Sequence, residues 1–356
     1  MAFSFVLTGG GTGGHVYPAL AVARVLRDRG HRLLFIGTED GIEARLVPEA
    51  GFEMAFVRSG GLNRVGVKRQ IRTVSQLPAS VLAARRHLRE WGAQAVFSTG
   101  GYAAGPVMLA ALLSRFRLVI MEPNIVPGFA NRKVARRVYR ALVGFPTTAN
   151  WFPLNRSEVT GLPVRPEFFR LEPKRGGPFT LLITGGSRGA KTLNRASLES
   201  WPLFRAGAEP IRIIHQSGAA EHARLAENFR AAGLEGEVVP FLSDMARAFE
   251  QADVVLARAG AGAVNEIAAA GMASILVPFP FAADDHPAQN ARALAEAAAA
   301  IAIPDAEMSG ERLYQEVSNL RRNPERLSAM RERVRQFAHP GAAERAADVM
   351  EAAAVA

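Results

Sequence analysis

Two stretches of this chain place glycines where a backbone could wrap an anion: "LTGGGTGGHVYPAL" near the start and "TGGSRGAKTLN" in the second half. Gly9, Gly11 and Gly14 spell G-x-G-x-x-G, the spacing with which dinucleotide folds bring N–H groups to a pyrophosphate. The acidic pair Glu39 and Asp40 stands beyond the next apolar run, where a ribose-binding carboxylate would belong. Taken literally, this is a nicotinamide or flavin site. By themselves the glycines report only that N–H groups approach something anionic at the start of a helix. His15 follows them directly, and an imidazole of ordinary pKa, ~6.5, can take a proton near neutrality. A dehydrogenase needs one dinucleotide site, whereas two cradles suit an enzyme that holds a nucleotide on one domain and an acceptor on the other.

The elements that must carry these cradles alternate regularly. Short apolar runs at "FSFVLT", "RLLFIG", "MAFV", "QAVFST", "LVIME" and "ALVGF" read as strands, separated by helical stretches such as Tyr17 to Arg29 and Gly105 to Leu113. This is the pattern of a parallel sheet wrapped by helices. Pro18 is placed in a first helical turn, where it is tolerated. The alternation breaks at "NRSEVTGLPVRPEFFRLEPKRGGP", whose prolines and glycines forbid a continuous element. It resumes with "FTLLIT", "IRIIHQ", "EVVPF", "DVVLA", "ASILVPF" and "AAIAIP". The expected division is a first domain over 1–163, a second over 164–339, and an Ala-rich helix at 340–356 that packs back on the first.

Composition narrows the chemistry. With 356 residues, two cores are expected rather than one, and 49% hydrophobic with 21% charged residues is ordinary globular usage. There is no cysteine, so disulfides, thiolate metal sites and cysteine nucleophiles are excluded together. "MAFSFVLTGG" lacks the basic leader of a signal peptide, and no apolar stretch is long enough to span a bilayer, so a cytosolic or peripheral protein is expected. The net charge of +10 implies polyanionic partners. Arg64, Lys68, Arg69, Arg72, Arg85, Arg86 and Arg89 crowd one segment, interleaved with Val65, Val67, Ile71, Val74, Leu77, Val81, Leu82 and Leu88. A cationic stripe beside an apolar one suits a helix lying on an anionic membrane, with Lys68, Arg69 and Arg72 as contacts, and equally a solvated helix whose apolar side is core. Neither a zinc-finger pattern nor an aromatic-rich RNA-binding motif occurs, so no nucleic-acid partner is expected.

Seven motifs in order, "GGGTGGHVYPALAVA", "STGGYAAGPVMLAA", "EPNIVPGFANR", "GLPVR", "TGGSRGAKTLN", "HQSG" and "RAGAGAVNEIAAAGMASILVPFPFAADDHPAQNARAL", cover most of the chain. Together they resemble the MurG family of peptidoglycan glycosyltransferases. The resemblance implies an α/β GT-B fold, two Rossmann-like domains facing across a cleft. It also implies inverting transfer of N-acetylglucosamine (GlcNAc) from UDP-GlcNAc to the 4-hydroxyl of the N-acetylmuramic acid (MurNAc) in undecaprenyl-diphosphate-MurNAc-pentapeptide. The setting would be the cytoplasmic face of the bacterial plasma membrane, with no cofactor and no bound metal. Other UDP-sugar enzymes of the same fold, or an inactive sugar-nucleotide-binding scaffold, are the competing readings.

On this resemblance the second domain takes the donor. Ser187 and the N–H groups beside it face the diphosphate, and Arg165 supplies a cation near the same charge, or a salt bridge within the linker. Glu266 accepts from the ribose hydroxyls, or merely occupies a helix's first turn. Backbone groups of Leu242, Ala261, Gly262, Ala263, Val264 and Asn265 frame the nucleotide. In the first domain Thr12, Gly13 and Gly14 approach the acceptor diphosphate or the reacting sugar, and Asn124 contacts the donor sugar. His15 is the candidate base, with a structural histidine and a diphosphate ligand as its other readings. The chain departs from the family at Met121, Pro123, Arg188, Phe281 and Pro287. Pro287 lacks the side-chain donor the family has there, which leaves Gln289 or Asn290 for that sugar contact. Asp284 and Asp285 read as a turn.

Overall fold

β1 (Ser4–Thr8) is apolar on both faces and almost completely buried, as a central parallel strand must be. A computed structural model describes every residue except Thr12, 61–66, Arg175, Ala208 and 281–284, and the side chains of 67–72. Thr12, Arg64, Val65, Phe281 and Asp284 therefore lie outside the described residues, as do the side chains of Val67, Lys68, Arg69, Ile71 and Arg72. The chain divides into one unit of Met1–Val164 with His339–Ala356, and a second of Arg165–Ala338.

In the first unit, β1, β2 (Arg32–Gly37), β3 (Glu53–Phe56), β4 (Ala95–Ser98), β5 (Arg117–Glu122), β6 (Arg140–Val143) and β7 (Ser157–Val159) form a parallel sheet in the order β3-β2-β1-β4-β5-β6-β7. The helices are α1 (Gly13–Asp28), α2 (Glu43–Glu49), α3 (Val67–Glu90), α4 (Ala104–Leu113) and α5 (Phe129–Val134). In the second unit, β8 (Phe179–Thr184), β9 (Ile211–Gln216), β10 (Glu235–Val239), β11 (Val254–Ala257), β12 (Ser274–Leu276) and β13 (Ile301–Ala302) are ordered β10-β9-β8-β11-β12-β13, again parallel. Its helices are α6 (Lys191–Ala206), α7 (His222–Ala232), α8 (Met245–Glu250), α9 (Ala261–Ala270), α10 (His286–Glu296), α11 (Gly310–Arg322) and α12 (Pro324–Val334). The final helix, α13 (Ala342–Val355), packs on α1, β4 and β5 of the first unit. Glu351 accepts from Arg29 at 3.1 Å and from His31 Nε2 at 2.8 Å, and Arg345 pairs with Glu158.

Three expectations are corrected. α1 begins at Gly13 rather than Tyr17, so Pro18 sits in the second turn, not the first. The helix survives because the carbonyl that loses its partner belongs to Gly14, which is exposed to water. "SEV", inside the segment read as broken, pairs with β6 as a three-residue edge strand. Among the described residues, the apolar side chains of α3 do not form one stripe. Val81 and Leu88 are buried and Leu77 packs beside them against the first unit's core, while Val74 is 57% and Leu82 63% exposed. Among the described residues no helix is long and apolar enough to cross a membrane.

Candidate functional site

Both sheets reverse strand order at one place, between β1 and β4 in the first unit and between β8 and β11 in the second. Parallel sheets bind ligands beyond the carboxyl ends of their strands at such a switch point, where two adjacent loops diverge and leave a crevice. The candidate residues gather at these two places.

In the first unit the loop after β1 meets the loop after β4. His15, in the first turn of α1, directs Nδ1 at the carbonyl of Thr99, 2.8 Å away. A carbonyl only accepts, so Nδ1 carries the proton, and Nε2 is the acceptor nitrogen of the neutral ring. Thr99 returns a bond from its hydroxyl to the His15 carbonyl at 2.8 Å, so ring and backbone are held by one residue. The contact depends on bare backbone: a Cβ on Gly9 would lie 1.8 Å from Thr99 Oγ1, and one on Gly101, whose φ is +86°, 2.2 Å from the Gly10 carbonyl. Gly13 and Gly14 are the first residues of α1, at the end where N–H groups lack helical acceptors.

Asn124 follows β5, next to β4. Its backbone N–H and its Nδ2 both donate to Glu122 Oε1 at 3.0 Å. Glu122 is buried, and Gly128 N–H and Asn131 Nδ2 donate to its other oxygen at 2.9 Å each. Burial pushes its carboxyl above the usual range, and these donors work against that shift. The motif "EPN" thus contains the carboxylate that orients Asn124. Its signal in the sequence was an acid at the end of an otherwise apolar strand.

In the second unit Ser187 is exposed in the loop between β8 and α6. Gln216 crosslinks this loop to the next: Nε2 donates to the Gly186 carbonyl at 2.8 Å while Oε1 accepts from Leu242 N–H at 2.8 Å. The Leu242 amide is therefore already engaged within the protein, so that N–H is not open to a ligand. Phe241 beside it is 60% exposed, a flat apolar face that sequence reading passed over. His215 organises the same motif from inside: Nε2 donates to Asn194 Oδ1 at 3.0 Å, and Asn194 Nδ2 donates to the Ser217 carbonyl at 2.9 Å. Burial lowers the His215 pKa to about 4, so the ring is neutral and acts as a strut.

α9 begins at Ala261, inside the glycine motif. Its cap residue Gly260 offers no side chain to the first turn, and a Cβ on Gly260 or Gly262 would meet nothing within 4 Å. The first-turn N–H groups of Ala261, Gly262 and Ala263 point out of the helix beside that space, where they can donate to an anion. Val264 and Asn265 are buried, and Asn265 Nδ2 returns to the Ala261 carbonyl at 2.8 Å. Glu266 stands one turn further on, so the first-turn reading of this acid does not apply. Its side chain is 29% exposed and pairs with Arg165, Nη2 to Oε1 at 3.3 Å. Burial raises its carboxyl above the ordinary range; Arg165 opposes that shift and Glu167 adds to it. Arg165 thus faces two carboxylates, Glu266 on α9 and Glu167 two residues along at 3.7 Å. Asn290 is fully buried and reaches the Ala259 carbonyl at 3.3 Å, whereas Gln289, its neighbour on α10, is half-buried and keeps part of its side chain open to solvent.

Comparison with known proteins identifies the family. The glycosyltransferase family 28 N-terminal domain matches residues 5–143, and the family 28 C-terminal domain matches residues 180–348. The UDP-N-acetylglucosamine–N-acetylmuramyl-(pentapeptide) pyrophosphoryl-undecaprenol N-acetylglucosamine transferase of Solibacter usitatus is 55% identical, over 98% of this chain and 96% of its own. The enzyme of that name from Nitrosococcus oceani is 40% identical over 98% of each. The crystal structure of MurG from Acinetobacter baumannii is 33% identical with a TM-score of 0.82, covering 98% of this chain and 99% of that one. The calicheamicin glycosyltransferase CalG4, 18% identical with a TM-score of 0.69 over 99% of this chain and 98% of its own, shares the fold. The two parallel-sheet units are those of a GT-B glycosyltransferase, and the chain belongs to the MurG family within glycosyltransferase family 28.

Proposed function

We infer that this chain transfers GlcNAc from UDP-GlcNAc to the MurNAc 4-hydroxyl of undecaprenyl-diphosphate-MurNAc-pentapeptide, with inversion at the anomeric carbon. The observation that carries the donor assignment is the open first turn of α9, with N–H groups beside unfilled space and a half-buried carboxylate one turn on. That arrangement suits a diphosphate followed by a ribose. The N–H groups of Ala261, Gly262 and Ala263, with Ser187, stabilise the diphosphate charge that develops as the sugar leaves. Glu266 accepts from the ribose hydroxyls. In the first unit the loop leading into Gly13 and Gly14 receives the acceptor diphosphate, and His15 Nε2 takes the hydroxyl proton as that oxygen attacks the anomeric carbon. The bond from sugar to diphosphate breaks with its electron pair, and UDP departs. Incubating radiolabelled UDP-GlcNAc with a short-chain lipid-linked MurNAc-pentapeptide is expected to move label into the extractable lipid. Label that stays in the aqueous phase as free sugar or an epimer would assign another UDP-sugar chemistry.

The membrane contact rests on the surface of the first unit. Val74 and Leu82 on α3 and Leu113 at the end of α4, which packs on α3, are exposed at 57%, 63% and 62%. Arg86 and Arg89 on α3, Arg115 in the turn after α4 and Arg117 at the start of β5 are exposed too. Apolar side chains rimmed by arginines suit the headgroup region of an anionic bilayer, here its cytoplasmic leaflet. Changing Lys68, Arg69 and Arg72 together to Ser is expected to weaken binding to anionic vesicles by about 1 kcal/mol per cation, and salt should weaken the parent protein likewise. Vesicle co-sedimentation that does not change with either would retire this contact.

A further inference from the structure

The acid that sequence spacing offered to a ribose was Glu39 or Asp40, yet both of these are exposed. A different carboxylate lies under the first glycine loop. Glu43, the first residue of α2, is 1% exposed. Its Oε2 accepts from Gly11 N–H at 2.9 Å, and its Oε1 accepts from the Thr38 N–H at 3.2 Å and the Thr38 hydroxyl at 2.8 Å. Three glycines leave room for it. A Cβ on Gly10 would lie 2.4 Å from the carboxylate, one on Gly41 2.1 Å from it, and one on Gly37 2.7 Å from its Cγ. None of these three has a positive φ, so space and not backbone conformation is what requires glycine there.

In a dinucleotide fold the N–H groups of this loop go to the cofactor pyrophosphate. Here the Gly11 N–H is already spent on an internal anion. The loop is thus clamped from both sides, by Glu43 beneath and by the Thr99–Gly101 backbone above, where the Gly10 carbonyl and the His15 ring are packed. Gly11 itself has φ +86°, a conformation a free loop would not hold uniquely. A buried carboxylate with three donors is a strong, directional anchor, because leaving any one of those donors unmade would cost the full desolvation of the group.

We propose that Glu43 is a positioning residue for the acceptor: it fixes Gly11 so that the start of α1 meets the acceptor diphosphate already in its binding conformation. This rests on the acceptor reading of the first unit. Glu43 touches no reacting atom and His15 has its own anchor in Thr99, so its loss should act on acceptor binding far more than on turnover.

The full-length Glu43→Gln variant tests this. At saturating UDP-GlcNAc its KM for the lipid acceptor is expected to rise about tenfold or more, with kcat falling less than about threefold and UDP affinity within about twofold of the parent, the scale of one charge-assisted hydrogen bond. Glu43→Asp, which keeps the charge but shortens the reach, should recover only part of the loss. Amide exchange at Gly11, read by mass spectrometry or NMR without any substrate, should quicken by about tenfold in Glu43→Gln. An unchanged acceptor KM in the folded variant, or a loss shared equally by UDP binding and kcat, would overturn the proposal. Should Glu43→Gln not fold, Thr38→Val removes one donor from the same carboxylate and is expected to raise the acceptor KM about threefold. Equal KM values there refute the idea too. If the parent enzyme transfers nothing to the lipid acceptor, the functional reading fails on its own, and unchanged Gly11 exchange in Glu43→Gln still decides against Glu43.

Discussion

His15→Ala is expected to lower kcat by roughly 10²–10⁴-fold, the range for losing a general base, while UDP affinity stays near that of the parent. The size follows from what the ring does where it sits. Thr99 O holds Nδ1–H at 2.8 Å, which fixes both the tautomer and the direction of Nε2. Alanine removes the one titratable side chain that the described residues of this loop place at the β1–β4 switch point, and water at neutral pH is a far poorer base. UDP affinity should not move, because the groups proposed for the nucleotide and its diphosphate, Ser187, Ala261, Gly262, Ala263 and Glu266, belong to the second unit. His15→Gln serves as the second arm: it keeps a polar side chain near Thr99 but cannot carry a proton away, so it should stay close to Ala in kcat. Stopped-flow single-turnover rates with bound donor separate chemistry from product release. A variant whose single-turnover rate is normal at saturating acceptor, but whose acceptor KM is raised, would make His15 a ligand of the acceptor diphosphate instead.

Glu266→Ala is expected to weaken UDP binding by roughly 1.5–3 kcal/mol, the range for hydrogen bonds to a charged group, or about 10–150-fold in Kd. Glu39→Ala and Asp40→Ala should leave it nearly unchanged. Glu266 is already partly desolvated and paired with Arg165 before UDP arrives, so little further cost attends its bonds to the ribose. Its raised pKa adds a pH signature. The ribose hydroxyls need the ionised carboxylate as acceptor, so UDP affinity should decline as pH falls through that raised value, earlier than for an exposed glutamate. Arg165→Ala withdraws the cation that holds the carboxyl down, and should move this decline to still higher pH. Isothermal titration of UDP into the variants across pH reads both effects. A loss confined to Glu39→Ala or Asp40→Ala would place the nucleotide on the first unit and restore the dinucleotide reading.

Most of the parallel strands and the two glycine-rich turns that follow β1 and β8 were legible in the sequence, because each depends on neighbours within one turn or one strand; the start of α1 at Gly13 and the edge strand β7 were not. A run such as "LLIT" followed by "GGSRGA" can do little else than leave a sheet and start a helix around an anion. His15 could be named because it stands directly after its glycines, whereas Glu266 was singled out through the family resemblance.

What needed the tertiary structure were partnerships across long stretches of chain. Thr99 meets His15 only because β4 pairs with β1, and that pairing selects the imidazole tautomer. Periodicity could not divide α3 into a face covered by the first unit's core and an exposed one, since Leu77 and Leu82 look alike until a partner covers one of them. Asn290 and Gln289 are adjacent and similar in chemistry, yet packing against Ala259 buries the first and leaves the second half open. Local sequence thus determined which residues could do chemistry, as hydrogen-bonding capacity and backbone freedom belong to the residue itself. Burial, tautomer and charge state were decided by the fold, because each depends on which distant groups exclude water or supply a partner.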